Sequence, residues 1–124
     1  MPLTYVHAPD ASLPSLLAAL RAGRTYVSSG PFLEIRARDG DRAVGEVGDS
    51  VARAARPTIE ARCKDAPSAE LRLVANGETI AEERALGEKR ITARPRPTDT
   101  WCCAELWTAG GERLLTVTSA IYLS

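Results

Sequence analysis

The stretch ELRLVANGETIAE, Glu70 to Glu82, carries the strongest local fold signal in the chain. Two short runs rich in apolar residues flank the Asn76-Gly77 pair. A two-residue type I′ turn needs positive φ at both central positions, and Asn followed by Gly meets that need. The stretch therefore predicts a tight β-hairpin with its turn at Asn76 and Gly77.

Strand-like runs closed by Gly, Pro, Asn or Asp recur on both sides of this hairpin. The alternation in IEARC places Ile59, Ala61 and Cys63 on the inner face of a strand. The segment ELWTAGGERLLTV predicts a second hairpin around its Gly-Gly pair, and RPRPTDT predicts a stiff loop between the two hairpins. The predicted strands are Thr25–Ser28, Phe32–Ala37, Thr58–Cys63, Leu71–Ala75, Thr79–Glu83, Arg90–Arg94, Trp101–Trp107 and Leu114–Ser119. Many short strands with frequent turns favour a mainly β fold, an immunoglobulin-like antiparallel β-sandwich.

One α-helix is expected before the sandwich. In DASLPSLLAALRAGR the leucines recur at the spacing of one helix face, and Gly23 suits the left-handed position after the last turn. We therefore expect a single domain over residues 1–124. Residues 1–23 form an opening segment and the helix, and residues 24–124 form the β-sandwich.

The turn SSGP links the first predicted strand, which follows the helix, to the second predicted strand. Ser28, Ser29 and Gly30 are expected to make this turn, and Pro31 fixes its exit because the ring restricts φ. Phe32 is expected to anchor the next strand in the core.

Composition excludes several classes of function. The 124 residues include 16 basic and 16 acidic side chains, so the formal net charge is zero. A nucleic-acid partner is not expected, because nucleic-acid modules carry a clustered basic surplus. No apolar run approaches the roughly 20 residues that cross a bilayer, and the N-terminus lacks a signal-peptide pattern. We expect no membrane partner and a cytoplasmic location.

The cysteines predict neither a disulfide framework nor a metal site. Cys63, Cys102 and Cys103 are odd in number and irregularly spaced. Cys102 and Cys103 should point to opposite faces of one strand, so we expect reduced thiols. A zinc site would need more ligands, and His7 is the only histidine.

Candidate catalytic residues are few. A nucleophilic Ser28 or Ser29 would need an activating base, and only His7 could supply one. We interpret His7 as a surface residue, and Glu82 and Glu83 as parts of a solvated face. The residues alone thus predict a scaffold with no catalytic, cofactor-binding or metal-binding residue.

Two tryptophans leave an alternative open. Trp101 and Trp107 should lie on the same face of one strand. Exposed aromatics there would make a sugar-binding platform, whereas core or interface packing is the favoured interpretation. The alternative function is accordingly an independent immunoglobulin-like binding module for a carbohydrate or protein ligand.

The order of several motifs resembles a known family. The helix ending LLAALRAGRTYVSSGPFLEI, a Gly48-Asp49 turn, LRLVANGETI and the final AELW…LLTVTSAIYLS follow one another. This order is similar to the C-terminal region of metallohydrolases in the polymerase-and-histidinol-phosphatase (PHP) superfamily, particularly the carbaryl-hydrolase-like CehA/McbA group. The resemblance runs from about Val6 to Leu123. This sequence departs from the family at two places: CAE stands where the family has R-A-E, and TSAIY stands where the family has T-N-P-I-Y.

The resemblance implies a non-catalytic accessory domain. The family's metal ligands lie in an upstream α/β barrel, so its divalent metals would bind that barrel and no residue of this chain. The implied partner is this PHP barrel, in cis or in trans; oligomeric state is not implied. The chain would then be an expressed C-terminal domain, a free-standing relic or a separate subunit, and we favour the first. The expected interdomain contact comprises Arg24, Tyr26, Ser28, Ser29 and Gly30.

Overall fold

Ten β-strands make up most of the described chain, which covers residues 3–6, 23, 25–28 and 30–124 of a computed structural model. The strands are β1 Leu3–Val6, β2 Thr25–Ser28, β3 Phe32–Asp39, β4 Arg42–Glu46, β5 Ser50–Val51, β6 Thr58–Ala75, β7 Glu78–Ala93, β8 Trp101–Thr108, β9 Leu114–Thr118 and β10 Ile121–Leu123. A short 3₁₀ helix occupies Arg53–Ala55. The predicted mainly β fold is confirmed. The predicted α-helix lies outside the described residues.

A long ribbon of β6 and β7 dominates the fold. Its turn is the predicted hairpin, with φ of 48° at Asn76 and 83° at Gly77. The sequence predicts two short strands in the range of β6 and two in the range of β7. In the structure each pair of predicted strands is joined into one continuous strand. Two register shifts, from Cys63 to Ala66 and from Ala66 to Ala69, absorb the extra residues of β6. Such bulges bend a strand while pairing resumes on either side, so the ribbon turns a corner without ending.

The sheet turns this corner along β6 and nearly closes. Because β7 pairs with β6 along one edge, the other edge is shared by β3, on the first half, and β8, on the second. Beyond β3 lies β4; beyond β8 lie β9, β2 and β1 in that order. The chain's final strand, β10, pairs with β8 and also with β5. The pairing is antiparallel throughout the described strands except between β10 and β5.

The core lies between β3 and β8–β9, which contact each other across the interior. IEARC alternates as predicted, because Ile59, Ala61 and Cys63 are completely buried while the intervening residues are only half-buried. The predicted role of Phe32 is wrong. The pleat turns Leu33 inward, and the half-buried Phe32 ring lies 5.7 Å from the guanidinium carbon of Arg62.

Three strands that follow β3, namely β4, β5 and β10, were not predicted from the sequence. β4 is short, has no buried residue and includes Gly45. β5 has two residues and β10 has three. Runs this short carry no detectable period, so these strands form because neighbouring strands supply hydrogen-bond partners.

Candidate functional site

A groove of about 740 Å³ lies between the residues that precede β6, the loop from β7 to β8 and the last two residues, Leu123 and Ser124. Three arginines and three prolines account for much of its lining. The lining residues are Arg53, Ala54, Arg56, Pro57, Pro95, Arg96, Pro97, Thr98, Leu123 and Ser124. We call this feature the arginine groove.

One wall of the arginine groove is the loop between β7 and β8, held by Arg96 and Asp99. The Arg96 backbone N–H donates to Asp99 Oδ2 at 2.9 Å, and the Arg96 guanidinium donates to Asp99 Oδ1 at 3.0 Å. Arg96 also donates to Glu78 Oε2 at 2.7 Å and to the Ala75 carbonyl at 3.4 Å. The hydrogen bonds to Asp99 and then to Glu78 raise the pKa of Arg96. The predicted stiff loop is thereby tied to the β6–β7 hairpin.

Asn76 makes a second connection to the same loop. Its side-chain Oδ1 accepts from the Thr100 backbone N–H at 2.9 Å and from the Trp101 backbone N–H at 3.3 Å. The Asn76 backbone N–H donates to the Trp101 carbonyl at 3.2 Å. Asn76 therefore serves both as a turn residue with positive φ and as the anchor of the groove wall.

Backbone hydrogen bonds build the opposite wall. Arg53 N–H donates to the Ser124 carbonyl at 2.8 Å, and Ser124 N–H donates to the Val51 carbonyl at 2.9 Å. Leu123 N–H donates to the Thr100 carbonyl at 2.8 Å, which joins this wall to the loop. Arg56 directly follows the 3₁₀ helix that carries Arg53, and its φ is 49°. The groove is therefore bounded by pieces of chain that are far apart in sequence.

Two of the three arginines in the arginine groove have no acidic side-chain partner among the described residues. Arg96 is matched by Asp99 and Glu78. Arg53 and Arg56 are exposed, and no acidic side chain of the described residues pairs with either of them. A guanidinium binds planar oxyanions through two parallel N–H bonds. Arg53 and Arg56 therefore offer guanidinium groups of the kind that binds oxyanions.

Among the described residues that line the arginine groove, none carries a carboxylate side chain, an imidazole or a thiol. Elsewhere in the described part of the chain, no three His, Cys, Asp or Glu side chains converge as metal ligands. No helix among these residues is long and apolar enough to span a membrane.

The predicted interdomain contact is described only in part. Arg24 and Ser29 lie outside the described residues, and Tyr26 is described only in its backbone, as part of β2. Ser28 is buried: its hydroxyl donates to the Pro31 carbonyl, accepts from Gly30 N–H at 3.0 Å and lies 3.0 Å from the Thr116 hydroxyl. Gly30 is exposed. The Ser28 hydroxyl thus holds the turn together, and the contact itself stays a prediction.

His7, the proposed base for a serine nucleophile, also lies outside the described residues. Asp49, in the Gly48-Asp49 turn, accepts from the Glu46 backbone N–H at 3.0 Å and so closes the turn after β4. Glu82 pairs with Arg72 at 2.8 Å and Glu83 pairs with Lys89 at 3.4 Å. Both glutamates lie on an exposed strand, as the solvated-face interpretation predicts.

The two tryptophans lie on the outer face of β8, while Ala104 and Leu106 point into the core. They are six positions apart, which is about 20 Å along a strand. The Arg72 guanidinium covers the Trp107 ring at 5.0 Å, and Trp107 Nε1 donates to Glu105 Oε1 at 2.9 Å. Trp107 is therefore engaged with its own chain, and the sugar-binding platform stays a prediction.

All three cysteines are free and buried. Burial, reinforced by nearby negative charge, raises the pKa of the Cys102 thiol to about 12 and that of the Cys103 thiol to about 11. Burial also raises the pKa of Cys63. The thiolate is the reactive form, so these cysteines are not poised as nucleophiles at neutral pH.

Sequence reasoning missed the arginine groove. A usable signal existed in RAARP, Arg53 to Pro57, and in RPRPT, Arg94 to Thr98. Each segment places arginines beside prolines in a loop, where side chains remain accessible. That the two segments meet is decided by the pairing of β10 with both β5 and β8.

Comparison with protein-family models, with curated proteins and with solved structures found no match to this chain.

Proposed function

We propose that this chain is a non-catalytic accessory domain that binds an acidic segment of a partner protein in the arginine groove. The observation that carries the proposal is the exposure of Arg53 and Arg56 without acidic partners among the described residues. Two guanidinium groups beside an apolar wall suit carboxylates carried on a peptide.

The rigidity of the arginine groove supports a binding role. Pro57, Pro95 and Pro97 restrict the backbone on both walls, and the Arg96–Asp99 hydrogen bonds hold one wall in place. A site ordered before binding loses less conformational entropy when the ligand arrives. The proposed site therefore binds without a prior folding step.

The partner is proposed from the resemblance alone. We propose a PHP-type metal-dependent hydrolase barrel, in cis or in trans, which this domain packs on or whose mouth it shapes. The barrel would hold the divalent metals, and the present chain would take an immunoglobulin-like sandwich architecture beside it. We place this function in the cytoplasm, in keeping with three free thiols.

Titration of the ¹⁵N-labelled chain with a glutamate-rich peptide tests the binding site. Amide signals of residues 53–57 and 95–98 should shift with peptide, and a lysine-rich peptide of equal length should shift none of them. Arg53→Gln with Arg56→Gln should weaken binding about tenfold or more, since each charged hydrogen bond is worth about 1.5–3 kcal/mol. Arg113→Gln is the matched control, because Arg113 is exposed at the opposite end of β8.

Two results would contradict the proposal. Peptide shifts that survive the double substitution would remove the arginine groove from the site. Stoichiometric tightly bound metal, or phosphoesterase turnover by the purified chain with added manganese, would show that the chain has an active centre of its own.

A further inference from the structure

The outer edge of β7 has no partner among the described strands. β7 runs for sixteen residues and, of these strands, pairs only with β6. Leu86, in the middle of this edge strand, is 76% exposed, the highest value among the large apolar side chains of the described residues. Long open edges pair readily with another strand unless something prevents it.

The charges of β7 are antisymmetric about Leu86. Residues at equal distances before and after Leu86 carry opposite charges. The symmetric pairs are Glu82 with Arg90, Glu83 with Lys89, and Arg84 with Glu88. In an antiparallel pair of identical strands centred on Leu86, each of these residues lies opposite its counterpart in the second copy.

We propose that β7 is a homodimer interface, in which β7 of a second copy adds antiparallel to this edge with Leu86 on the two-fold axis. Each charged pair then occurs twice, because the axis repeats every contact. Opposite charges directly across two strands stabilise the pairing. The proposal concerns a surface separate from the arginine groove and does not depend on the proposed function.

The same charges specify the register. A shift of two positions one way places Glu82 opposite Glu88, and the other way places Arg84 opposite Arg90. A shift of one position places Glu83 opposite Glu88 or Arg84 opposite Lys89. Like charges directly opposite destabilise a strand pair. Only the register centred on Leu86 avoids them among these neighbours.

The faces of the strand agree with this register. Ala85 is buried toward the core, so Leu86 points to the outer face. On the two-fold axis the two Leu86 side chains lie directly opposite and cover apolar area that one copy leaves in water. Gly87, with φ of 73°, marks the corner of the ribbon. In the register centred on Leu86, each Gly87 lies opposite Ala85 of the second copy, so the two corners fall two positions apart.

The six charged side chains differ in how far their own chain engages them. Glu82 pairs with Arg72, Glu83 with Lys89, and Arg90 with Glu60. Arg84 is exposed and forms no ion pair with the described residues. Glu88 has a side chain 60% exposed and lies 3.8 Å from Arg62, its only ion pair within the described chain. Arg84 and Glu88 therefore have most to gain from a second copy.

Charge exchange between two variants tests the interface. In a dimer of Arg84→Glu, each introduced glutamate faces Glu88 of the second copy. In a dimer of Glu88→Arg, each introduced arginine faces Arg84 of the second copy. Each variant alone should self-associate about tenfold or more weakly than the natural chain. Mixed in equal amounts they should form a heterodimer, since every pair between the two variants is again opposite in charge. Sedimentation velocity over a concentration series measures self-association of each variant alone and association in the mixture.

Leu86→Lys is a second, independent disruption, and Leu114→Lys is its control. Leu114 is another exposed leucine, 40% exposed on β9, and should leave self-association unchanged. Melting curves check that each variant is folded. A natural chain that stays monomeric at about 1 mM, a dimer that survives Leu86→Lys, or two folded variants that do not associate on mixing would each overturn the proposal.

Discussion

Asp99 is buried to 1% exposure, and Arg96, three residues before it, supplies both a backbone and a guanidinium hydrogen bond to its carboxylate. A buried carboxylate is costly unless it is paired and hydrogen-bonded. Here the pairing satisfies the charge and closes the loop between β7 and β8 in the same contact. One wall of the arginine groove depends on this pair.

We expect Asp99→Ala to lower the free energy of unfolding by about 2 kcal/mol, because it removes a buried acceptor and leaves a space where the carboxylate was. Glu78→Gln is the control. The Glu78 side chain is 70% exposed, so its pair with Arg96 should be worth less than about 1 kcal/mol. Urea unfolding of both variants measures the difference. Equal effects would mean that burial of Asp99 does not matter.

The hydroxyl cluster at the first turn should behave as a unit. Ser28→Ala removes an acceptor of Gly30 N–H and the donor to the Pro31 carbonyl, and should cost about 2 kcal/mol. Thr116→Val should cost about 1 kcal/mol. Since the two hydroxyls contact each other, the double variant should lose less than the sum.

A double-mutant cycle by urea unfolding measures this coupling. Ser68→Ala, at an exposed position of β6, should change stability by less than about 0.5 kcal/mol. Additive losses for Ser28→Ala and Thr116→Val would contradict a shared network.

Two substitutions of Asn76 separate its two roles. Asn76→Gly keeps the positive φ of the turn and removes the side-chain acceptor of Thr100 N–H, so we expect a loss of about 1 kcal/mol. Asn76→Ala adds the cost of a left-handed backbone at a residue with Cβ and should lose about 2 kcal/mol or more. Thermal unfolding ranks the two variants. A larger loss for Asn76→Gly would contradict this assignment.

The buried thiols should resist alkylation in the folded protein. At about pH 8, iodoacetamide should modify Cys63, Cys102 and Cys103 slowly in buffer and rapidly in denaturant, because thiolates form only when the chain unfolds. Mass spectrometry counts the modified thiols. Rapid modification of one folded thiol would contradict its burial.

The raised pKa values also predict a pH dependence of stability. The thiols of the unfolded chain ionise near their ordinary value of 9.0, whereas Cys102 and Cys103 ionise at about 12 and about 11 when folded. Their contribution is fully present below about pH 9 and is lost as pH rises toward the folded values, by about 1.4 kcal/mol per pH unit per thiol. Cys102→Ala should reduce this slope in denaturant unfolding between about pH 9 and about pH 10.5. An unchanged slope would contradict it.

Prediction from the sequence succeeded where neighbours in the chain decide the structure. The turn at Asn76-Gly77 and the alternation of Ile59, Ala61 and Cys63 depend on φ preference and on the pleat of one strand. Phe32 was assigned to the core because it is aromatic. The same pleat makes Leu33 the buried residue.

Other features depended on contacts between distant segments. The polar segment KDAPS reads as a loop, yet two bulges carry β6 through it and bend the sheet. Asp99 reads as an exposed loop residue, and it is buried because Arg96 folds back onto it. The two arginine-bearing loops are visible in the sequence, but their meeting could not be predicted for the same reason.

The sequence alone thus determined local conformation and which residues of a strand face the core, because turn preferences and the two-residue period of a strand act over a few positions. The same holds for the symmetric charges around Leu86, which are legible in the sequence once β7 is known to be an edge. Tertiary structure alone decided which edges remain open and which loops meet. The meeting of Arg53 and Arg56 with the Arg96 loop follows from the pairing of Tyr122 with both Ser50 and Trp101. No local signal predicts that pairing.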